Sequence, residues 1–129
     1  MLFRSWVDKG EEKKLSDMKG SNEVFIIAFW STACSHCLND IPKLYDFTKE
    51  YNGLQIIAIA LEEEREDFDK LTKSMPQWIH VYGANKWENK IARDYDVNAT
   101  PSYFVLDKDL KIIAKPEELE DLQALFDQN

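Results

Sequence analysis

Short apolar runs separated by polar segments predict a sheet of buried strands. Residues 24–30 read V-F-I-I-A-F-W without a polar face, which is typical of a central strand covered by helices on both sides. Apolar runs of the same kind predict four further strands, at residues 55–61, 78–82, 102–106 and 110–114. The last two flank the polar turn Asp107-Lys108-Asp109 and are expected to form a hairpin.

Apolar residues that recur every three or four positions predict the helices. In residues 35–51 they form one helical face, made of Leu38, Ile41, Leu44, Tyr45 and Phe47. The stop signal for this helix is Asn52-Gly53. Phe68 and Leu71 indicate a second helix at residues 63–74, ended by Pro76. Two more helices are predicted, a short one at residues 87–95 and a last one from Pro116 to about Phe126.

An additional β-hairpin is predicted at the N-terminus, where residues 3–7 and 12–15 flank Asp8-Lys9-Gly10. The alternation of strands and helices behind it predicts an α/β fold with a central mixed β-sheet flanked by helices. The length of 129 residues fits a single domain, residues 1–129. Its start in structured-looking residues would suit a domain excised from a longer precursor.

Composition and charge narrow the classes of partner. The chain has 44% apolar and 31% charged residues, and its longest apolar runs are far shorter than the ~20 residues that span a bilayer. A net charge of −8 without a basic stripe argues against nucleic acid, because that affinity depends on Lys and Arg neutralising phosphates. We expect a globular monomer without a membrane span in this chain and without a nucleic-acid partner.

The candidate chemistry lies in the run C-S-H-C, residues 34–37. Cys34 stands where the central strand gives way to a helix, so unpaired backbone N–H groups and the positive end of the helix dipole favour its thiolate. Because the thiolate is the nucleophile, we expect Cys34 to attack and Cys37, one turn further, to resolve. His36 would favour the thiolate further if its ring lay near that sulfur. We expect no cofactor beyond a redox-active Cys34–Cys37 disulfide.

Two other interpretations of the cysteine pair stay open at this point. The pair could be half of a zinc site, although only His36 and His80 are available as nitrogen ligands and His36 lies inside the loop to be closed. Alternatively, the two cysteines are merely neighbours in a solvated turn. Since the chain has only two cysteines, it cannot build a four-thiolate site or a wider disulfide framework, and we expect no metal.

Motifs spread over nearly the whole chain carry a resemblance. They are Leu15-Ser16-Asp17-Met18-Lys19-Gly20, Phe29-Trp30 with C-S-H-C, Tyr95-Asp96-Val97, Thr100-Pro101-Ser102 and residues 104–109. In this order they resemble the thioredoxin superfamily, and more narrowly its TlpA/ResA-like branch of bacterial envelope thiol–disulfide proteins. The resemblance implies a thioredoxin fold and thiol–disulfide oxidoreductase activity. It also implies exchange with protein thiols and an upstream redox partner, in the cell envelope or periplasm.

The resemblance further implies roles for residues around the cysteines. Pro101 would follow a cis peptide bond and lie against the pair, where it and Thr100 present backbone to a substrate chain. Pro42 resembles the proline within the family's active-site helix. Trp30 and Ser35 are candidate substrate contacts, although core packing against the active-site turn is the simpler explanation of Trp30.

The chain departs from the family pattern at two positions. Thioredoxins carry a buried Asp where this chain has Ala28, so a proton acceptor has to come from elsewhere. Asp40, three residues after Cys37, stands where the TlpA/ResA-like branch often has Glu, and it could relay a proton to or from Cys37. A solvated helix carboxylate is an equally good interpretation of Asp40. Ala33 replaces the family's usual Trp and should leave a more open rim beside the sulfur.

Two functions therefore remain open from the sequence. The first is an enzyme in which Cys34 attacks, Cys37 resolves and Pro101 presents the substrate backbone. The second is a thioredoxin-fold binding or sensing module that keeps the pair as an inert disulfide. The departures from the family pattern at Ala28 and Ala33 support this interpretation. The reduction potential of the pair separates the two, because structural disulfides lie below about −300 mV.

Overall fold

The computed structural model describes residues 5–8, 11–62, 66–84 and 99–126. Within these residues the strands are β1 Ser5–Asp8, β2 Glu11–Lys14, β3 Val24–Trp30, β4 Leu54–Glu62, β5 Ile79–Ala84, β6 Ser102–Asp107 and β7 Ile112–Ala114. The α-helices are α1 Ser35–Thr48, α2 Glu66–Thr72 and α3 Leu119–Phe126, and a 3-10 helix covers Leu15–Met18. Strands and helices alternate along the chain as the apolar pattern predicts.

The main sheet has the strand order β5-β4-β3-β6-β7. Strands β3, β4 and β5 are parallel, which requires crossover connections, and α1 lies in the crossover between β3 and β4. Strand β6 is antiparallel to β3, and β7 is antiparallel to β6. This arrangement confirms the predicted α/β class with a central mixed sheet, in which β3 is the middle strand.

Alternate residues of β3 enter two different core clusters, because successive side chains of a strand point to opposite faces. One cluster includes Phe25, Ile27 and Phe29. The other includes Ile26, Ala28 and Trp30, and it joins the sheet to α1 and α3 through Cys37, Ile41, Leu44, Leu119 and Leu122. Burial on both faces explains why the strand contains no polar residue, and it fixes α1 firmly on the sheet.

The N-terminal hairpin is present, with small differences at its ends. Strands β1 and β2 pair antiparallel, Ser5 opposite Lys14, in a two-stranded sheet of their own. Leu15 was expected at the end of the second strand but begins the 3-10 helix instead. Helix α1 ends at Thr48 rather than at residue 51. The Thr48 hydroxyl donates a hydrogen bond to the Leu44 carbonyl at 2.8 Å and so satisfies a backbone acceptor of the last turn.

The last helix also begins later than the sequence predicts. Pro116 precedes the helix rather than opening it, because the first backbone bond of the helical type joins the Leu122 N–H to the Glu118 carbonyl at 3.1 Å. Helix α2 lies within the predicted residues 63–74. The predicted helix at residues 87–95 and the Tyr95-Asp96-Val97 motif lie outside the described residues.

Candidate active site

The two cysteines lie at the junction between the central strand and the first helix. Strand β3 ends at Trp30, and Cys34 is the N-cap of α1 with extended backbone angles, φ −101° and ψ 112°. Its sulfur accepts a hydrogen bond from the backbone N–H of Cys37 at 3.2 Å. A sulfur thus occupies the position where helices usually place a Ser or Asp oxygen, so the N-terminal amide groups of the helix act directly on Cys34.

The Cys34 thiol is the more acidic of the pair. It is partly exposed, while Cys37 is buried. Burial acts to raise the pKa of Cys34, but hydrogen bonding from the side chains of Cys37 and Thr100 and from the backbone of Cys37 and His36 outweighs it. The net effect lowers its pKa below the ordinary value of 9.0, so a larger fraction of Cys34 is thiolate at neutral pH.

Cys37 has the opposite electrostatic setting. Its side chain is 0% exposed and belongs to the core cluster between α1 and the sheet. Burial raises the pKa of Cys37 to about 12, and its hydrogen bond to Cys34 adds to the rise. The pair is therefore polarised, with an accessible, acidic first thiol and a protonated second thiol held beneath it.

His36 and Asp40 form a pair one helical turn apart on α1. His36 Nε2 lies 2.9 Å from Asp40 Oδ2, and Asn39 Nδ2 donates to the other carboxylate oxygen at 3.0 Å. Asp40 is 7% exposed, so it is not the solvated helix carboxylate that the sequence left as an alternative. The His36 ring is bonded to Asp40, and the effect of His36 on Cys34 comes from its backbone instead.

The Thr100-Pro101 segment lies against Cys34 although it is far away in the sequence. The Thr100–Pro101 peptide bond is cis. In the thiol form, Cys34 Sγ donates to the Thr100 carbonyl oxygen over 3.6 Å. This contact brings β6 to the cysteine pair, and both Thr100 and Pro101 are half-buried beside it.

The remaining predicted site residues differ in exposure. Ser35 and Ala33 are exposed at the rim of the pair, as an open rim requires. Trp30 is 1% exposed and packs in the core, so it is a wall of the site and offers a substrate no free surface. It also borders a groove of about 390 Å³ on the α1 side, together with Cys37, Leu38, Ile41, Tyr45, Leu71 and Met75.

Glu62 is a structural part of the site that the sequence analysis missed. The residue ends β4 and is 5% exposed, and its carboxylate accepts from the Thr32 N–H and the Thr32 hydroxyl, each at 2.6 Å. Glu62 therefore holds the turn that precedes Cys34. In the sequence it opens the acidic run Glu62-Glu63-Glu64, which obscures its burial; only its place directly after a buried strand distinguishes it.

Neither a metal centre nor a membrane helix is found in the described part of the chain. No three His, Cys, Asp or Glu side chains within it are grouped as a metal site. The zinc interpretation of the cysteines thus gains no ligand from these residues. Among the same residues, no helix combines the length and the apolar character that crossing a bilayer requires.

Comparison with known proteins supports the thioredoxin resemblance of the sequence motifs. Residues 22–112 match the family described as Thioredoxin-like. The chain is 30% identical over 110 residues to the thiol-disulfide oxidoreductase ResA of Bacillus thuringiensis, covering 81% of this chain and 60% of that protein. The chain therefore spans less than two thirds of the length of this curated relative.

Solved structures show the same fold. A domain of a possible thiol-disulfide isomerase from Cytophaga hutchinsonii is 31% identical and superposes with a TM-score of 0.77, covering 98% of this chain and 86% of the other. The thioredoxin domain of a thiol-disulfide oxidoreductase from Bacteroides vulgatus has a TM-score of 0.78 at 23% identity, covering 96% and 90%. The family match over residues 22–112, together with the shared fold and the cysteine pair at the strand–helix junction, shows that this chain belongs to the thioredoxin-like family.

Proposed function

We propose that this protein is a thiol–disulfide oxidoreductase that exchanges disulfides with protein thiols through Cys34 and Cys37. The observation that carries the proposal is the polarity of the pair: one thiol is accessible with a lowered pKa, and the other is buried with a pKa of about 12. A nucleophile has to be ionised and reachable, whereas a resolving thiol has to stay protonated until the first has reacted. An inert structural disulfide needs no such difference between its two sulfurs.

The exchange runs in two steps. The Cys34 thiolate attacks one sulfur of a substrate disulfide, a new S–S bond forms, and the other substrate sulfur leaves as a thiolate. Cys37 then loses its proton and attacks Cys34 Sγ, which closes the Cys34–Cys37 disulfide and releases the second substrate sulfur as a thiolate. The substrate is reduced by two electrons and the protein is oxidised; the reverse sequence transfers the disulfide to a substrate dithiol.

Asp40 is the proposed proton acceptor for Cys37. It lies three residues further along α1, which puts it on the same side of the helix as Cys37, and it is buried, where charge interactions are stronger than in water. Its bond to His36 supports this role, because His36 is 55% exposed and links the buried carboxylate to solvent. In this proposal His36 acts through Asp40 and through its own backbone, rather than by its ring on Cys34.

Thr100 and Pro101 are the proposed contacts for the substrate backbone. The Thr100 carbonyl already lies 3.6 Å from Cys34 Sγ, so a chain joined to that sulfur would run along this segment. Ser35, which follows Cys34 in the chain, is exposed and is the proposed second contact. Ala33 is exposed as well and leaves room for a bulky partner at the rim.

The partners and the location follow from relatives and belong to the same proposal. A ResA relative of 30% identity is named a thiol-disulfide oxidoreductase, which supports thiol–disulfide exchange as the reaction. Protein thiols as substrates and an upstream redox protein as partner are our proposal from the TlpA/ResA-like resemblance. We place the protein in the bacterial cell envelope on the strength of the TlpA/ResA-like resemblance. Fractionation of cells carrying the full-length protein, followed by immunodetection, tests this location.

Two cysteine variants test the proposed exchange. Cys34→Ala should abolish the reduction of a protein disulfide, whereas Cys37→Ser should accumulate a mixed disulfide, because the first step remains and the second is blocked. Mass spectrometry without added thiol detects the covalent adduct on Cys34. The enzyme function is wrong if the wild-type protein exchanges no disulfide in any redox buffer and the reduction potential of the pair lies below about −300 mV. The binding module with an inert disulfide would then be the function.

A further inference from the structure

The hydroxyl group of Tyr103 is buried without a hydrogen bond. Tyr103 lies in β6 and is 2% exposed, and its Oη has no hydrogen-bond partner among the described residues. A buried hydroxyl without a partner destabilises a folded protein, because it loses its hydrogen bonds to water and gains none in return. A phenylalanine would fill the same space without this penalty, so the hydroxyl calls for an explanation in function.

The phenol lies in the core cluster that contains Cys37, and Tyr103 is opposite the strand position where thioredoxins have a buried acid. Tyr103 pairs with Ala28 across the β3–β6 ladder. The methyl group of Ala28 is small, and Tyr103 shares its core cluster with Cys37 and Trp30. Thus the part of the core that lacks the acid contains a neutral polar group instead.

The charged groups around Tyr103 come from two helices and the residue before one of them. Burial raises its pKa well above the ordinary value of 10.0, and Asp40 and Cys37 on α1 raise it further. Glu118 and Glu120, at the start of α3, contribute in the same direction. All of these neighbours are anionic when ionised, so the phenol stays protonated and can only act on them as a hydrogen-bond donor.

We propose that the Tyr103 hydroxyl donates a hydrogen bond to Cys37 Sγ whenever that sulfur carries negative charge during disulfide exchange. The inference rests on the proposed exchange function. When Cys37 attacks Cys34, its proton passes to Asp40 and its electron pair forms the S–S bond. When a substrate thiolate attacks Cys34 in the reverse direction, the Cys34–Cys37 bond breaks and its electron pair stays on Cys37. In both directions Tyr103 keeps its own proton.

In the dithiol state no partner for the hydroxyl, Cys37 Sγ included, lies within hydrogen-bond geometry among the described residues, so the proposed bond belongs to the charged states of Cys37 alone. Cys37 is then a neutral thiol with a pKa of about 12, and a neutral thiol is a weak acceptor. A thiolate is a strong acceptor, and hydrogen bonds to charged groups are roughly twice as strong as those between neutral groups. The unpaired hydroxyl therefore destabilises the resting protein, and its hydrogen bond to the charged Cys37 sulfur stabilises the exchange step.

A chromogenic aromatic disulfide, dithiobis-nitrobenzoate, resolves the two steps of exchange in one experiment. Each step releases one coloured thiolate: the first when Cys34 attacks the reagent, the second when Cys37 resolves the mixed disulfide. Tyr103→Phe should shift the pH profile of the second phase upward by about one unit and slow that phase about threefold at neutral pH. One pKa unit corresponds to tenfold less thiolate, and the more basic thiolate is about threefold more nucleophilic. The first phase should not change, because Cys34 makes no contact with Tyr103 in this mechanism.

The control is Tyr51→Phe, which removes a phenol hydroxyl from an exposed ring. It should leave both phases as in the wild type. Urea unfolding should show Tyr103→Phe to be at least as stable as the wild type, because the unpaired hydroxyl is gone. An unchanged second phase and pH profile, or equal slowing of both phases, would overturn the role of Tyr103. Failure of both phases in the wild type would instead overturn the proposed exchange.

Discussion

Iodoacetamide should modify the reduced protein at Cys34 long before it modifies Cys37. Alkylation needs a thiolate and access to the sulfur. Cys34 meets both requirements, because it caps α1 and is partly exposed. Cys37 meets neither, because it is 0% exposed and its thiol stays protonated. The experiment thus tests the polarity of the pair on which the proposed function depends.

The expected ratio follows from the two pKa directions. A thiol of pKa 9.0 is about one per cent thiolate at neutral pH, and Cys34 exceeds this because its pKa is lower. With a pKa of about 12, Cys37 is thiolate in about one molecule in a hundred thousand, at least ~1,000-fold less. The more basic thiolate is intrinsically about 30-fold more nucleophilic, since the Brønsted slope is roughly 0.5. The net preference for Cys34 is at least about 30-fold, and burial of Cys37 adds to it.

The assay is a time course at neutral pH, with the site of each adduct assigned by peptide mass spectrometry. Nearly all singly modified protein should carry the label on Cys34. The same reaction in concentrated urea is the control, because unfolding removes the helix cap and the burial together and should make the two rates similar. Comparable rates in the folded protein, or faster labelling of Cys37, would refute the assignment of attacking and resolving thiols.

The remaining predictions concern stability. Glu62→Ala should lower the free energy of unfolding by about 2–4 kcal/mol, because Thr32 loses two hydrogen bonds to a buried carboxylate. Glu50→Ala, at an exposed position, is the control in urea titrations, and equal losses in the two variants would contradict the bracing role. The reduced wild type should lose stability relative to Cys37→Ala as pH rises from 9.0 towards about 12, because the folded thiol keeps a proton that the unfolded thiol releases. Unfolding curves of both proteins, measured across this pH range, test the direction of the change. If the free energies of unfolding of the two proteins depend on pH in the same way, the pKa of Cys37 is not raised.

The strands were the most predictable part of the fold, for a physical reason. A strand buried on both faces has to be apolar throughout, so residues 24–30 reveal β3 without any tertiary information. Helix ends were less predictable, because they depend on individual hydrogen bonds. The end of α1 at Thr48 and the start of α3 at Leu119 are examples, and neither is marked by a clear stop or start residue.

The sequence by itself determined that a cysteine would cap the helix after the central strand, since Cys34 and Cys37 are neighbours in a short segment whose geometry is local. The tertiary structure alone decided which remote groups surround that pair. Thr100 reaches Cys34 across 66 residues, Glu62 reaches Thr32 across 30, and Tyr103 lies beside Ala28 through the pairing of β3 with β6. Such contacts depend on strand order and register, which long-range pairing sets and which no local pattern of residues encodes.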